Sequence, residues 1–350
     1  MRKLISTIIL TICCATINAQ DIGLSQFFET PMLRNPSLAG LFEGDWRVGG
    51  VYRTQWNSVT TPYLTKAASG SLKLAAGSQT DGYFSLGAQF VTDKAGDLAL
   101  TRNQFLFAPT YHLYLGNTEN SYLSGSIMIG SIQSYFNKEN AQLDDQFVNG
   151  SYSPSNPSSQ PFNNSNYSYF DISAGMTLSG QLGNGDYYLG GALFHANRMG
   201  VKNDLNSFFP IRHKWVINGG ISAPVNGSLM FKGYADYTLQ SGNNQLFFGG
   251  MFEFLLSEAF EDITETKFAL GAFYRLNDAV IPYVKLQWQR FSIGFSIDKT
   301  VSQLNSAATS ANSMEFTLSY TGIFKDDRSS LKRSRCPKFG GSSFGWFSTK

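Results

Sequence analysis

The side chains of this chain that could do chemistry are few, and their spacing argues against most kinds of it. His112, His195 and His213 are the three histidines, each within or beside a different predicted strand. No His, Cys, Asp or Glu group has the spacing of metal ligands. There is no G-x-S-x-G nucleophile elbow and no phosphate-binding P-loop. No residue is nominated as catalytic, and no cofactor or metal is implied. Cys336 sits in "RSRCPKF", where Arg333, Arg335 and Lys338 favour a reactive thiolate. The reading we prefer is a motif, Cys336, Pro337, Lys338 and Phe339, that docks on a periplasmic partner or packs beneath the fold.

The remaining polar chemistry lies in charges set into apolar alternation: Arg47, Arg53, Arg102, Asp171, Lys232, Asp236, Arg275, Asp298 and Glu315. Such residues could form a mixed-sign network filling a closed interior, or they could line a conducting pore. Five are basic and four acidic, whereas a selective pore more often carries a ring of one sign. The filled interior is therefore preferred.

Charges placed this way need strands to hold them. Period-two alternation dominates the sequence. In "GSLMFKGYADYTLQ", Leu229, Phe231, Gly233, Ala235, Tyr237 and Leu239 alternate with Met230, Lys232, Tyr234, Asp236, Thr238 and Gln240. "RFSIGFSIDK" and "MEFTLSYTGIF" behave alike. About fourteen strands are predicted, at 45–56, 62–75, 81–92, 98–115, 121–135, 166–180, 186–197, 213–223, 227–240, 245–256, 266–276, 279–289, 290–299 and 312–324. A sandwich domain needs about seven to nine, and strands of about ten residues cross a bilayer when tilted. A charge facing lipid at mid-depth costs about 2–4 kcal/mol, so the charged face must look inward. Trp46, Trp56, Trp215 and Trp288 fall near predicted strand ends, where interfacial girdles lie. Lys66 shares the face of Leu64, Ala68 and Leu72, which points to an interfacial position or a register break.

Composition agrees with a membrane barrel. Charged residues are 15% of the chain and aromatics 15%, against about 25% charged in soluble domains. No apolar run reaches the roughly 18 residues of a spanning helix. Residues 1–19 read as a secretory signal peptide, with Arg2 and Lys3 before an apolar stretch and a small-residue exit at Ile17-Asn18-Ala19. A lipoprotein signal would use Cys13 or Cys14, and neither follows a convincing small-residue pair. Cleavage removes Arg2 and Lys3, leaving 25 of the 27 basic residues against 25 acidic ones. A neutral chain is not the basic surface a nucleic acid requires.

The expected organisation is then a signal peptide (1–19), a periplasmic leader or plug (20–44), an outer-membrane antiparallel β-barrel (45–324) and a basic periplasmic tail (325–350). The long connections, 136–165, 198–212 and 300–311, follow odd strands and would face outward; most connections after even strands are short turns. The acidic stretch 257–265 is the exception. Closure must bring the first strand beside the last, so Arg47 and Arg53 are expected to meet Asp298 and Glu315.

Several segments, in their order, resemble the PorP/SprF-like outer-membrane proteins of type IX secretion and gliding in Bacteroidetes. They are "QDIGLSQFFETPMLRNPSLAG", "YRTQW", "TDKAGDL", "YHLYLG", "YFDISAGM", "YYLGGALFHANR", "LGAFYRLNDAVIPYVKL", "SIGFSIDKTVSQL", "EFTLSY" and "CPKF". The resemblance implies an outer-membrane barrel without enzymatic activity. It further implies partners in a secreted adhesin with a C-terminal sorting domain and in the periplasmic secretion ring and motor. The alternative is a passive channel or a transporter for hydrophobic solutes, with the leader as its hatch. A barrel-linked enzyme such as a lipase has no nucleophile motif in its favour.

Overall fold

Extended segments whose side chains alternate between lipid and interior leave no stable sheet edge in a bilayer, so they must close on themselves. The computed structural model describes residues 21–56, 61–75, 82–116, 121–136, 144–148, 151–153, 155–156, 166–198, 212–257, 265–301 and 313–324. The predicted signal peptide, the tail with Cys336, Pro337, Lys338 and Phe339, and much of the long connections lie outside these residues.

Fourteen antiparallel strands form one closed barrel. They are β1 (Trp46–Gln55), β2 (Tyr63–Ala75), β3 (Gly82–Ala95), β4 (Leu100–Tyr114), β5 (Tyr122–Tyr135), β6 (Asn166–Leu182) and β7 (Gly185–Phe194). The circuit continues with β8 (Lys214–Asn226), β9 (Leu229–Gln240), β10 (Asn243–Ser257), β11 (Thr266–Arg275), β12 (Ala279–Trp288), β13 (Phe291–Thr300) and β14 (Ser313–Gly322). Each strand pairs with its neighbours in sequence, and β14 returns to β1 over ten residue pairs from Trp46↔Gly322 to Gln55↔Ser313. All fourteen coincide with predicted strands to within a few residues. The largest shifts are at β7, which stops at Phe194 because His195 takes a left-handed φ of 57°, and at the ends of β3 and β8.

Three prolines lie within the wall, and Pro224 sits where the register between β8 and β9 shifts. Pro109 and Pro282 each coincide with a break in one ladder, β4 with β5 and β12 with β13, as expected where the ring removes the backbone donor. The hairpin between β9 and β10 turns on Ser241 and Gly242, both at positive φ.

Outward positions carry Phe105, Ile127, Met176, Leu189, Ile217, Ile293 and Leu318, all largely exposed. A continuous apolar surface of this extent belongs against lipid. Trp56 and Trp215 lie at the end of the barrel that holds the long connections, Trp46 and Trp288 at the short-turn end, as girdles require. Lys66 does face outward, three residues from the start of β2, with its ammonium over the Tyr52 ring. Its charge therefore lies close to one interface.

Candidate functional site

The interior of the barrel is occupied by the chain's own leader. Asp21 lies at the end carrying the long connections and Asp45 at the short-turn end, where Asp45 N–H donates to the Gly322 carbonyl (2.9 Å) and Phe324 N–H donates to the Asp45 carboxylate (2.7 Å). The expectation for residues 20–44 is a periplasmic leader or a plug. Residues 21–44 run inside the barrel, from the long-connection mouth downward. Prolines at positions 31 and 36 and the Asn35 cap restrict it to single turns, at Phe27–Glu29, Pro31–Arg34 and Pro36–Leu38. A polar backbone broken in this way must find its partners on the wall.

At the upper mouth Asp21 is held by three cations. Its carboxylate accepts from Arg102 Nη2 (2.9 Å) and lies 2.9 Å from Lys214 Nζ and 2.8 Å from His195 Nε2. His195 Nδ1 lies 2.6 Å from Asp171. Burial alone would raise the Asp21 pKa, but Lys214, His195 and Arg102 outweigh it and hold the carboxyl well below its usual range. Burial alone would lower His195, but Asp21 and Asp171 raise it, favouring the imidazolium.

Next along the leader, Glu315 of β14 accepts from the backbone N–H of Ser25 (2.7 Å) and of Gln26 (2.8 Å). Arg53 lies 3.2 Å from Asp298 and 3.7 Å from Glu315, donates to Ser313 Oγ (2.9 Å) and caps the Gly23 carbonyl. Arg275 also pairs with Asp298. The expected β1–β14 contact is thus present for Arg53. It is absent for Arg47, which instead pairs with Glu29 of the leader. The reason is vertical position: Arg47 lies at the short-turn end of β1, opposite Thr321, while Glu315 is opposite Arg53.

Phe27 and Phe28 fill the space between these ionic tiers. The Phe27 ring lies 4.2 Å from Phe247, and Phe28 stacks on Tyr234 at 5.1 Å and on Phe273 at 4.9 Å. Glu29 takes Lys285 Nζ at 2.6 Å as well as Arg47. Arg34 donates from Nε to Asp236 (2.7 Å), with a second contact through Nη2. Lys232 pairs with Glu253 at 3.0 Å.

Asn35 is fully buried where the leader meets the wall. Its Nδ2 reaches the carbonyls of Met176 (3.0 Å) and Gly191 (3.2 Å) together with Thr177 and Asn218, while its Oδ1 accepts from Ser37. The wall closes on it at two glycines. A Cβ on Gly175 would sit 2.0 Å from Asn35 Oδ1, and one on Gly190 would sit 2.6 Å from Asn35 Nδ2. Further along, the Ala39 carbonyl meets Ser85 Oγ (2.7 Å) and His112 Nε2 (3.0 Å), so His112 serves the leader as a structural partner.

All nine sequence-selected charges, Arg47, Arg53, Arg102, Asp171, Lys232, Asp236, Arg275, Asp298 and Glu315, point inward and are paired. They form tiers rather than one network, because the leader separates them and supplies partners. Residues that the sequence reading passed over are Asp21, Glu29, Arg34 and Asn35 of the leader and Lys214, Glu253 and Lys285 of the wall. Alternation with Phe252 and Phe254 could have marked Glu253 as inward. No periodicity marks the leader residues. Among the described residues no group of His, Cys, Asp and Glu forms a metal site.

Known proteins enter the comparison at two levels. A family model described as "Type IX secretion system membrane protein PorP/SprF" matches residues 16–320. No curated protein matches the chain. Among solved structures, the Ralstonia pickettii toluene transporter TbuX is 12% identical, with 85% of this chain and 94% of that chain covered at a TM-score of 0.49. BamA from Haemophilus ducreyi lacking POTRA domains 1–3 is 11% identical, with 79% and 70% covered and a TM-score of 0.39. OmpF of Salmonella typhi is 9% identical, with 79% and 96% covered and a TM-score of 0.34. None of the three is close enough to lend this chain a ligand or a role.

Proposed function

The chain belongs to the PorP/SprF family of type IX secretion system membrane proteins, and from that premise we propose that it is a non-catalytic component that helps export, or anchors, a large cell-surface protein bearing a C-terminal sorting domain. It is an outer-membrane barrel, as its family and its lipid-facing surface require. The long connections would meet the secreted protein, while the tail 325–350 and the acidic connection 257–265 would meet the periplasmic ring and motor.

The observation that carries this reading is the filled lumen. A barrel whose interior is held by its own leader, through paired charges at both ends and an aromatic cluster between them, favours a docking platform over a conduit. The passive channel or hydrophobic-solute transporter is disfavoured for the same reason, since the leader is tied to the wall at every level. The experiment is purification of the tagged full-length chain in mild detergent, with mass spectrometry of what comes with it. Co-purification of a sorting-domain protein together with periplasmic ring components is expected. Recovery of the barrel with neither, under conditions that preserve other membrane complexes, would overturn the proposal.

A further inference from the structure

The direction in which the leader is threaded has a consequence for what the outside of the cell can reach. Asp21 touches Arg102 and Lys214, at the beginnings of β4 and β8, and His195, just past the end of β7. Its backbone N–H donates to Gln240 at the end of β9 (2.9 Å). All four lie at the end of the barrel that bears the long connections. Arg53, near the same end of β1, caps the Gly23 carbonyl. Gly23 itself is exposed, and a Cβ added there would meet nothing within 4 Å.

A small cavity of about 100 Å³ opens beside this end of the leader. Ile22, Gly23 and Leu24 border it on one side, and Asn243, Asn244 and Gln245 at the start of β10 border it on the other. These three amide side chains are exposed. Uncharged amides that both donate and accept suit the main chain of an extended polypeptide.

We propose that the N-terminal end of the leader opens on the extracellular face, where Ile22, Gly23 and the Asn243–Gln245 lip form a surface for an extended segment of an extracellular protein. A partner bound there bears directly on the plug, whose other end is tied to β1 and β14 through Asp45. The proposal rests on the long connections facing outward, and the experiment separates the two.

Single cysteines are placed at Gly23, at Leu98 in the turn between β3 and β4, and at Gly227 in the turn between β8 and β9, each in a Cys336→Ser background. They are challenged on intact cells with a membrane-impermeant maleimide. Labelling of Gly23→Cys and Leu98→Cys on intact cells, with Gly227→Cys labelled only after permeabilisation, is expected. Gly23→Cys labelled only after permeabilisation, or in neither state, while Leu98→Cys labels outside, overturns the leader's exit and leaves the barrel's orientation standing. Gly227→Cys labelled outside and Leu98→Cys not overturns the orientation, and the proposal with it. The unmodified leader gives a second measurement, because carbodiimide treatment should join Asp21 to Lys214, which lie 2.9 Å apart. Asp21 joined to Lys285, with no Asp21–Lys214 product, would count against the threading.

Discussion

Arg34 and Asp236 show what one charge does inside a sealed barrel. Both side chains are nearly closed to solvent, at 5% and 10% exposure, so neither can be left alone cheaply. Removing one partner of a buried pair costs about 3–5 kcal/mol, whereas replacing both with apolar groups is often neutral or stabilising. Asp236→Ala should therefore lower stability by about that amount, read as the urea midpoint of the barrel in lipid. Arg34→Met with Asp236→Leu should recover most of the loss. A second expectation concerns pH at the upper mouth. The depressed Asp21 carboxylate contributes at all pH values above its unfolded range. His195 is raised, so its contribution is complete below its ordinary 6.5 and is lost as pH rises through its folded value. The leader's upper end should therefore hold from mild acid to neutral and loosen in alkali. A nitroxide on Gly23→Cys should report faster motion as pH rises above neutrality; faster motion on acidification from 7 to 5 would show the sign to be wrong.

Among the elements, strands and leader differed in how far the sequence revealed them. The strands were legible because alternation has one period and one consequence: Phe231, Ala235, Tyr237 and Leu239 share the lipid side and Lys232 and Asp236 face inward, as their spacing requires. The leader's path was not legible, since short turns broken by Pro31 and Pro36 carry no period. Its partners also come from strands as distant as β9, β12 and β14. Arg47 illustrates the cost of that blindness: its inward direction was readable, but its partner Glu29 was not. Two glycines record the leader's path on the wall. Gly190→Val would force a side chain against Asn35, Thr177 and Asn218, and overpacking of this kind costs about 1–3 kcal/mol. Gly125→Ala, where a Cβ meets nothing within 4 Å, should leave the same urea midpoint unchanged. Deleting residues 21–44 tests the whole element: the intact chain should be silent in planar bilayers, and the deletion should show conductance steps. Equal conductance from both would mean that the leader does not seal the lumen.

For the whole molecule, fourteen strands closed by β1 and β14 give a body that spans the outer membrane. The paired interior gives it rigidity, and the asymmetry of its connections gives it two different ends. Family membership places it in type IX secretion. The most direct test is to delete the chain from its own cell and quantify, by surface proteomics, the proteins that carry the C-terminal sorting domain. The account predicts that at least one such protein disappears from the surface and returns when the intact chain is restored. Export and surface attachment of every such protein at unchanged levels would contradict it.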